Sequence, residues 1–326
     1  MNVRQGNEHS DDAPIRGEVR QVGFRRVSHG LFLPVRSGLD PDQEFRRELM
    51  AWLLVLPPEA TFTHVTAARL AGWQLPALPD DVPVFAAVAG DMRRPRRPGL
   101  ICSRLVRPHQ PGDVGLPVDR PEEILLRAAR DLGLLDLMVM VDSARHLGHI
   151  DEGRMKTILD SGRPGVRLLR QAWNLSSDRA ESGPETVLRM FHIAIDVDVE
   201  PQPVLTDAHG QVVGRADLLV RGTNRLHEYD GAVHRERTQH QTDLRRERGL
   251  AGSDYERRGF TLDDLLNHSF VVMHEMDRDL GRPHKLGRLT RWRRMVENSM
   301  YSPVGRERVL NRWRRLMGVP DWSRTA

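Results

Sequence analysis

Five acidic or basic side chains between residues 185 and 234 have the types and spacing to do hydrolytic chemistry. Asp217 lies in GRADLLV and Glu228 and Asp230 lie in LHEYDG, the two stretches flanking the turn-forming RGTN. If Gly222 and Thr223 form a two-residue hairpin loop, Asp217 falls directly opposite Glu228. Opposed residues on one sheet face have Cβ atoms about 4.5–5.5 Å apart. Two carboxylates that close repel unless a cation lies between them, and a divalent metal is the usual solution. Glu185, opening the preceding helix, is within reach as a third acid. Asp230 could add a ligand or orient a water, and His234, just past Gly231, could act as general base or phosphate contact. Each has a structural reading beside the chemical one. Glu185 completes a Ser182-x-x-Glu185 capping box. Asp230-Gly231 is a common turn dipeptide, and Asp230 would face Arg215 across the hairpin. His234 alone fits a helix terminus or a surface.

The elements that must position these groups alternate in type. A helix over 184–195 leads to strands near 203–206, 212–220 and 225–230, then a polar helix over 235–252, a strand near 255–261 and a helix over 263–280. Upstream, GFRRVSHGLFLPV (Gly23 to Val35) has the pattern of a strand pair turning at His29-Gly30. A helix capped by Asp40 runs over 41–56, and a short one capped by Thr63 lies within 63–76. Strands near 83–89 and 100–106 flank the basic DMRRPRRPG. Four helices follow over 121–133, 135–147, 151–161 and 166–175, the first with Pro121 in its opening turn. Residues 1–15 are expected to be disordered. SSDRAESGPE (Ser176 to Glu185) has a linker composition, so the chain divides into 16–178, 179–281 and a basic helical tail over 282–326.

Composition excludes several classes. Cys102 is the only cysteine, which rules out an internal disulfide framework and multi-cysteine zinc sites. No run of 18 apolar residues exists, so a membrane span is not expected, and the polar amino terminus is unlike a secretory signal. A cytoplasmic protein is the plain expectation. Lys156 and Lys285 are the only lysines, so none lies near Asp217 or Glu228. The formal charge is +4, yet residues 282–326 hold twelve Arg or Lys against Glu297, Glu307 and Asp321. Such a tail could meet a phosphate backbone. Leu289, Trp292, Met295, Val296 and Met300 also recur at helical spacing, as on a solvated amphipathic helix.

The order Glu185, Asp217, Glu228-Tyr-Asp230-Gly-x-x-His234 and Asp243-Leu-Arg-Arg resembles the very-short-patch-repair-like branch of the PD-(D/E)xK nuclease superfamily. With RRVSHGLFLPV, THVTAARLAGWQLP and GLPVDRPEEILLRAARDL, residues 20–280 resemble actinobacterial proteins that place such a domain behind a region related to type IV abortive-infection antitoxins. The resemblance implies an α+β protein: a carboxy-terminal mixed sheet flanked by helices, behind a mostly helical antitoxin-like region with a truncated wing at Gly23–Val35. It further implies a Mg²⁺- or Mn²⁺-dependent endonuclease acting on double-stranded DNA, with metal at Asp217 and Glu228, to which Glu185 is the assisting metal ligand by its position, and a cognate toxin or a second copy as possible partners. One departure stands out: the superfamily's lysine, two residues past the second acid, is Asp230 here. A DNA-binding regulator without catalysis, an antitoxin-like partner protein, and a metallohydrolase built on His227, His234 and His240 are the alternatives.

Overall fold

The loop at Gly222-Thr223 is longer than the two residues expected: it runs from Arg221 to Asn224 and is closed by the Thr223 amide on the Val220 carbonyl at 3.2 Å, with Gly222 at φ +75°, where a side chain would be strained. It joins β10 (Leu218–Val220) to β11 (Arg225–Tyr229) in the expected register, Leu218 against His227 and Leu219 against Leu226. The computed structural model describes residues 13–18, 23–105, 115–206, 210–231 and 254–318. Most of the stretch expected to be disordered, His234, and the helix expected over 235–252 lie outside them.

The described residues form a mixed α and β chain of eleven helices and several sheets. It divides into two units, one of residues 1–72, 79–124 and 310–326, the other of residues 73–78 and 125–309. In the first unit β1 (Ile15–Arg16), β2 (Phe24–Ser28) and β3 (Leu31–Pro34) make a small sheet, β2 and β3 turning at Gly30. The helix α1 (Pro41–Leu53) begins as expected, with Asp40 accepting from the Asp42 and Gln43 amides and Gln43 reaching back in a capping box. The short β4 (Thr61–Phe62) leads into α2 (His64–Leu70). Thr63 stands at its N-cap position without capping it; the hydroxyl donates instead to buried Asp119 at 2.9 Å. The proton of that hydroxyl goes to a buried carboxylate, a bond that charge strengthens. The strands β5 (Val84–Val88) and β6 (Leu100–Arg104) pair in parallel on either side of the arginine-rich loop.

The second unit carries α4 (Leu134–His146), α5 (Glu152–Leu159) and α6 (Val166–Leu175), preceded by α3 (Pro121–Ala128), which begins in the first unit. Next come α7 (Gly183–Ala194) and β7 (Val199–Pro201). A four-stranded sheet orders as β12 (Glu256–Phe260), β11, β10, β7, with β11 and β12 parallel and the other pairs antiparallel. Its first face buries His227, Leu218 and Phe260, with the His227 ring against His192 of α7. On the second, Leu226 packs with Leu205 and Ala216.

Two expected elements are divided. The strand over 212–220 is β9 (Val212–Arg215) and β10, separated by a bend at Asp217. β9 pairs with β8 (Val204–Thr206) in a sheet of its own, Arg215 against Val204. Arg215 therefore leaves the hairpin register that would have set it opposite Asp230, and it ion-pairs with Glu181 at 2.6 Å. The helix over 263–280 is α8 (Leu262–Leu266) and α9 (Ser269–Asp279). Thr261 and Asp264 cap α8 tightly, and it stops at Asn267, whose side chain bonds Asp263 at 2.7 Å.

The carboxy-terminal segment forms α10 (Arg288–Glu297) and α11 (Pro303–Met317). Its apolar stripe is core: Leu289, Trp292 and Met300 are fully buried, and the Trp292 indole donates to the Leu265 carbonyl at 2.8 Å. Arg282 and Arg288 both reach buried Asp277 on α9, at 2.6 and 3.0 Å. α11 starts in the second unit and ends in the first, where Trp313 meets the Phe85 ring edge-on at 5.3 Å.

Candidate functional site

Glu185 owes its place to the start of α7. Ser182 is the N-cap and accepts from the Glu185 amide at 3.3 Å, and Pro184 sits in the first turn. The Glu185 carboxylate closes the cap from its side, accepting from the Ser182 hydroxyl at 2.7 Å and from the Glu181 amide at 3.0 Å. One acceptor site on Oε2 looks away from the helix, and there it receives the side-chain amide of Gln202 at 3.0 Å.

Gln202 is the residue that sequence reasoning missed. It follows β7 with φ +49°, one of three non-glycine residues with positive φ among those described. Such a backbone costs about 1–3 kcal/mol and persists only where the surroundings enforce it. Here the enforcement comes from β7 and β10: the Gln202 amide donates to the Asp217 carbonyl at 2.9 Å. The strained turn points the side chain between two carboxylates, Glu185 Oε2 at 3.0 Å and Asp217 Oδ1 at 3.5 Å. Two anions on one side require the NH₂ end of the amide to face them. Left-handed glutamine has no sequence signature, and no signal in the chain would have singled it out.

Asp217 occupies the bend just before β10. Its Oδ2 accepts from the Tyr229 amide at 2.8 Å, so a side chain closes the ladder where the strand leaves it. The paired register ends at Leu218 against His227, one residue short of the bend that carries Asp217, and Glu228 lies on the β11 face of Leu226. Glu228, however, already has a cation. Arg257, on β12 beside Leu226, donates through Nε to Glu228 Oε2 at 2.8 Å and through a second nitrogen to the same oxygen. Directly beside Glu228 on β12 is Gly259, and the space where a side chain would stand there is filled by Asp230, whose Cβ would lie 3.3 Å from an added methyl. Asp230 lies exposed at the end of β11, its backbone amide on the Phe260 carbonyl at 2.8 Å.

Thus the structure brings Glu185 and Asp217 onto one donor, pairs Glu228 with Arg257, and leaves Asp230 exposed at the strand end. Among the described residues no three His, Cys, Asp or Glu side chains converge as a metal cluster. By type, the carboxylates and the Gln202 amide are hard oxygen donors of the kind Mg²⁺ and Mn²⁺ take. The neutral Gln202 amide donates to both carboxylates without bringing a positive charge between them.

His227, the one described member of the three-histidine alternative, is used in the core. The His192 Nδ1 lies 2.8 Å from the Leu188 carbonyl, so it must carry the proton. Its Nε2 then accepts from His227 Nδ1 at 2.7 Å. Burial pushes both imidazoles well below the usual histidine range, keeping the pair neutral.

No family model, curated protein or solved structure matches the chain. Function therefore has to be argued from this geometry.

Proposed function

We propose that the acids gathered around Gln202 form the centre of a metal-dependent, endonuclease-like site that hydrolyses phosphodiester bonds in DNA. The reading rests on one observation: a strained glutamine holds its amide between Glu185 and Asp217. Glu185 and Asp217 would hold the ion, on the open side of α7 and at the bend before β10. When bound, the metal would stabilise charge on the phosphate and lower the pKa of an attacking water. The chain's own groups do the rest. The Tyr229 amide fixes Asp217, and the Ser182 hydroxyl and Glu181 amide fix Glu185, so neither carboxylate loses much rotamer entropy on binding. Arg257 supplies a fixed positive charge beside Glu228, which offsets the absence of the superfamily's lysine. Asp230, exposed at the strand end, would accept a proton from solvent-side water. The mixed sheet with α7 packed on it agrees with the PD-(D/E)xK resemblance.

A second reading has an observation of its own. Because Arg257 already neutralises Glu228, the site needs no metal at that acid, which favours a relative that binds DNA without cutting it. Incubating the protein with Mg²⁺ or Mn²⁺ on plasmid and on mismatched duplex separates the two. Cleavage that disappears in Asp217→Ala supports the proposed activity. Duplex binding without cleavage, equal in wild type and Asp217→Ala, supports the second.

A further inference from the structure

The loop between β5 and β6, DMRRPRRPG, takes no part in the acidic site and belongs to the first unit. It walls a cleft of about 920 Å³ with six arginines around it: Arg16, Arg93, Arg94, Arg96, Arg97 and Arg104. Among the described residues, no carboxylate lines this cleft. Arg16 and Arg97 brace it through neutral acceptors, the carbonyls of Leu54 and His29, and Arg104 reaches the carbonyls of Ala89 and Met92 among its contacts. A carbonyl fixes a guanidinium without cancelling its charge. Arg93, Arg94 and Arg96 form no ion pair with a described residue, and the loop that carries them is largely exposed. Pro95 and Pro98 interrupt the run and restrict its backbone, lowering the entropy lost when the loop holds a ligand.

We infer that this arginine cleft binds the phosphodiester backbone of duplex nucleic acid. Asp91 opens the loop but does not line the cleft, and like charges gathered along a lining without a described carboxylate cost stability unless an anion is met there. Guanidinium forks match phosphate oxygens two at a time, so six exceed what one phosphate can use and fit a row of them. No aromatic side chain among the described residues lines the cleft, so it lacks the stacking platform on which unpaired bases are held. Backbone contact of this kind carries no sequence information. The inference stands independently of the acidic site, because it needs neither metal nor cleavage.

The test uses the full chain in EDTA with a fluorescein-labelled 20-base-pair duplex, followed by anisotropy at two salt concentrations. Arg93→Ser/Arg94→Ser/Arg96→Ser is expected to bind at least about tenfold more weakly. Its log K against log salt slope should fall by about 0.9 for each phosphate that is no longer neutralised. The matching triple lysine variant should keep most of the binding, since charge is retained. If the triple serine variant melts early, Arg94→Ser alone is read, with a loss of about threefold expected and an unchanged affinity counting against the cleft. Three results would overturn the inference. One is wild type that fails to bind the duplex. Another is equal affinity and salt slope in a folded triple serine variant. The third is arginine-dependent binding of a single strand, polyglutamate or phosphatidylserine vesicles as tight as that of the duplex.

Discussion

Two substitutions at the acidic site separate chemistry from architecture. Glu185 caps α7 and also faces Gln202, so Glu185→Gln tests the second role alone. A glutamine keeps an oxygen for the Glu181 amide, and Gln serves in capping boxes as well as Glu. The melting temperature should move by no more than a few degrees, while metal-dependent cleavage falls at least about tenfold, as expected for a lost charged ligand. Cleavage equal to wild type would leave Glu185 as a cap only. Gln202→Gly is the complement. Glycine accepts φ +49° without strain, so the fold should hold or gain up to about 1 kcal/mol. The amide between Glu185 and Asp217 is gone, however, and the two carboxylates lose their shared donor. Cleavage should drop while isothermal titration still detects Mn²⁺. A variant as active as wild type would show that the strained glutamine is structural.

At the scale of elements, a buried ion pair ties α4 to α7. Arg189 donates to Asp142 Oδ2 at 2.6 Å, and both side chains are almost wholly inaccessible. Thr186 and the Ser177 amide complete the shell around the carboxylate, at 3.0 and 2.9 Å. Burial pushes the Asp142 carboxyl upward, against the pull of Arg189. Arg189→Met leaves that carboxylate buried without its partner and should cost about 3–5 kcal/mol near neutral pH. The deficit should shrink in acid, where Asp142 can take a proton. Urea unfolding at pH 7.5 and 5 measures both, and a deficit independent of pH would contradict the account. The carboxy-terminal helices give a second prediction. Leu289, Trp292, Met300, Val309 and Trp313 are all fully buried, so deleting residues 287–326 removes core as well as charge. At about 2–5 kcal/mol for each large apolar side chain, the loss rivals the whole stability of a domain. The truncated chain should lose its cooperative thermal transition. A sharp melt near the wild-type temperature would return the segment to the solvated-helix reading.

At the scale of the molecule, what the sequence makes legible is what short-range physics decides. The β10–β11 register is legible from the turn-forming RGTN, although the loop there is four residues rather than two, and α1 follows from its cap. The tail's apolar period is visible too, but a stripe that covers core and one that faces solvent look alike until the partner surface is known. Gln202 and Arg257 were invisible for a different reason. One depends on a backbone angle forced by β7 and β10. The other reaches Glu228 through parallel pairing of two strands that are far apart in the chain. The bend at Asp217 was hidden because β9 finds its partner in β8 rather than in the hairpin.

The same scale sets how the second unit responds to acid, because its buried groups pull in opposite directions. His192 is pushed down to about 4, by burial above all, and His227 falls further below the ordinary range. A depressed histidine binds fewer protons folded than unfolded, so its contribution is intact above about 6.5 and is lost as pH falls below it. Asp136, whose carboxyl burial raises to about 7, has the reverse sign: the folded state holds the extra proton, so its contribution grows as pH falls from about 7 toward 4. Replacing both histidines by leucine removes the first effect and leaves the second. Wild type should therefore lose more stability than His192→Leu/His227→Leu between pH 7.5 and 5, whatever the two proteins' absolute stabilities. Paired urea titrations at those pH values give the comparison directly. An equal change in both proteins would mean that the imidazole pair is protonated in the folded state, contrary to the hydrogen bonding that fixes His192 Nε2 as an acceptor.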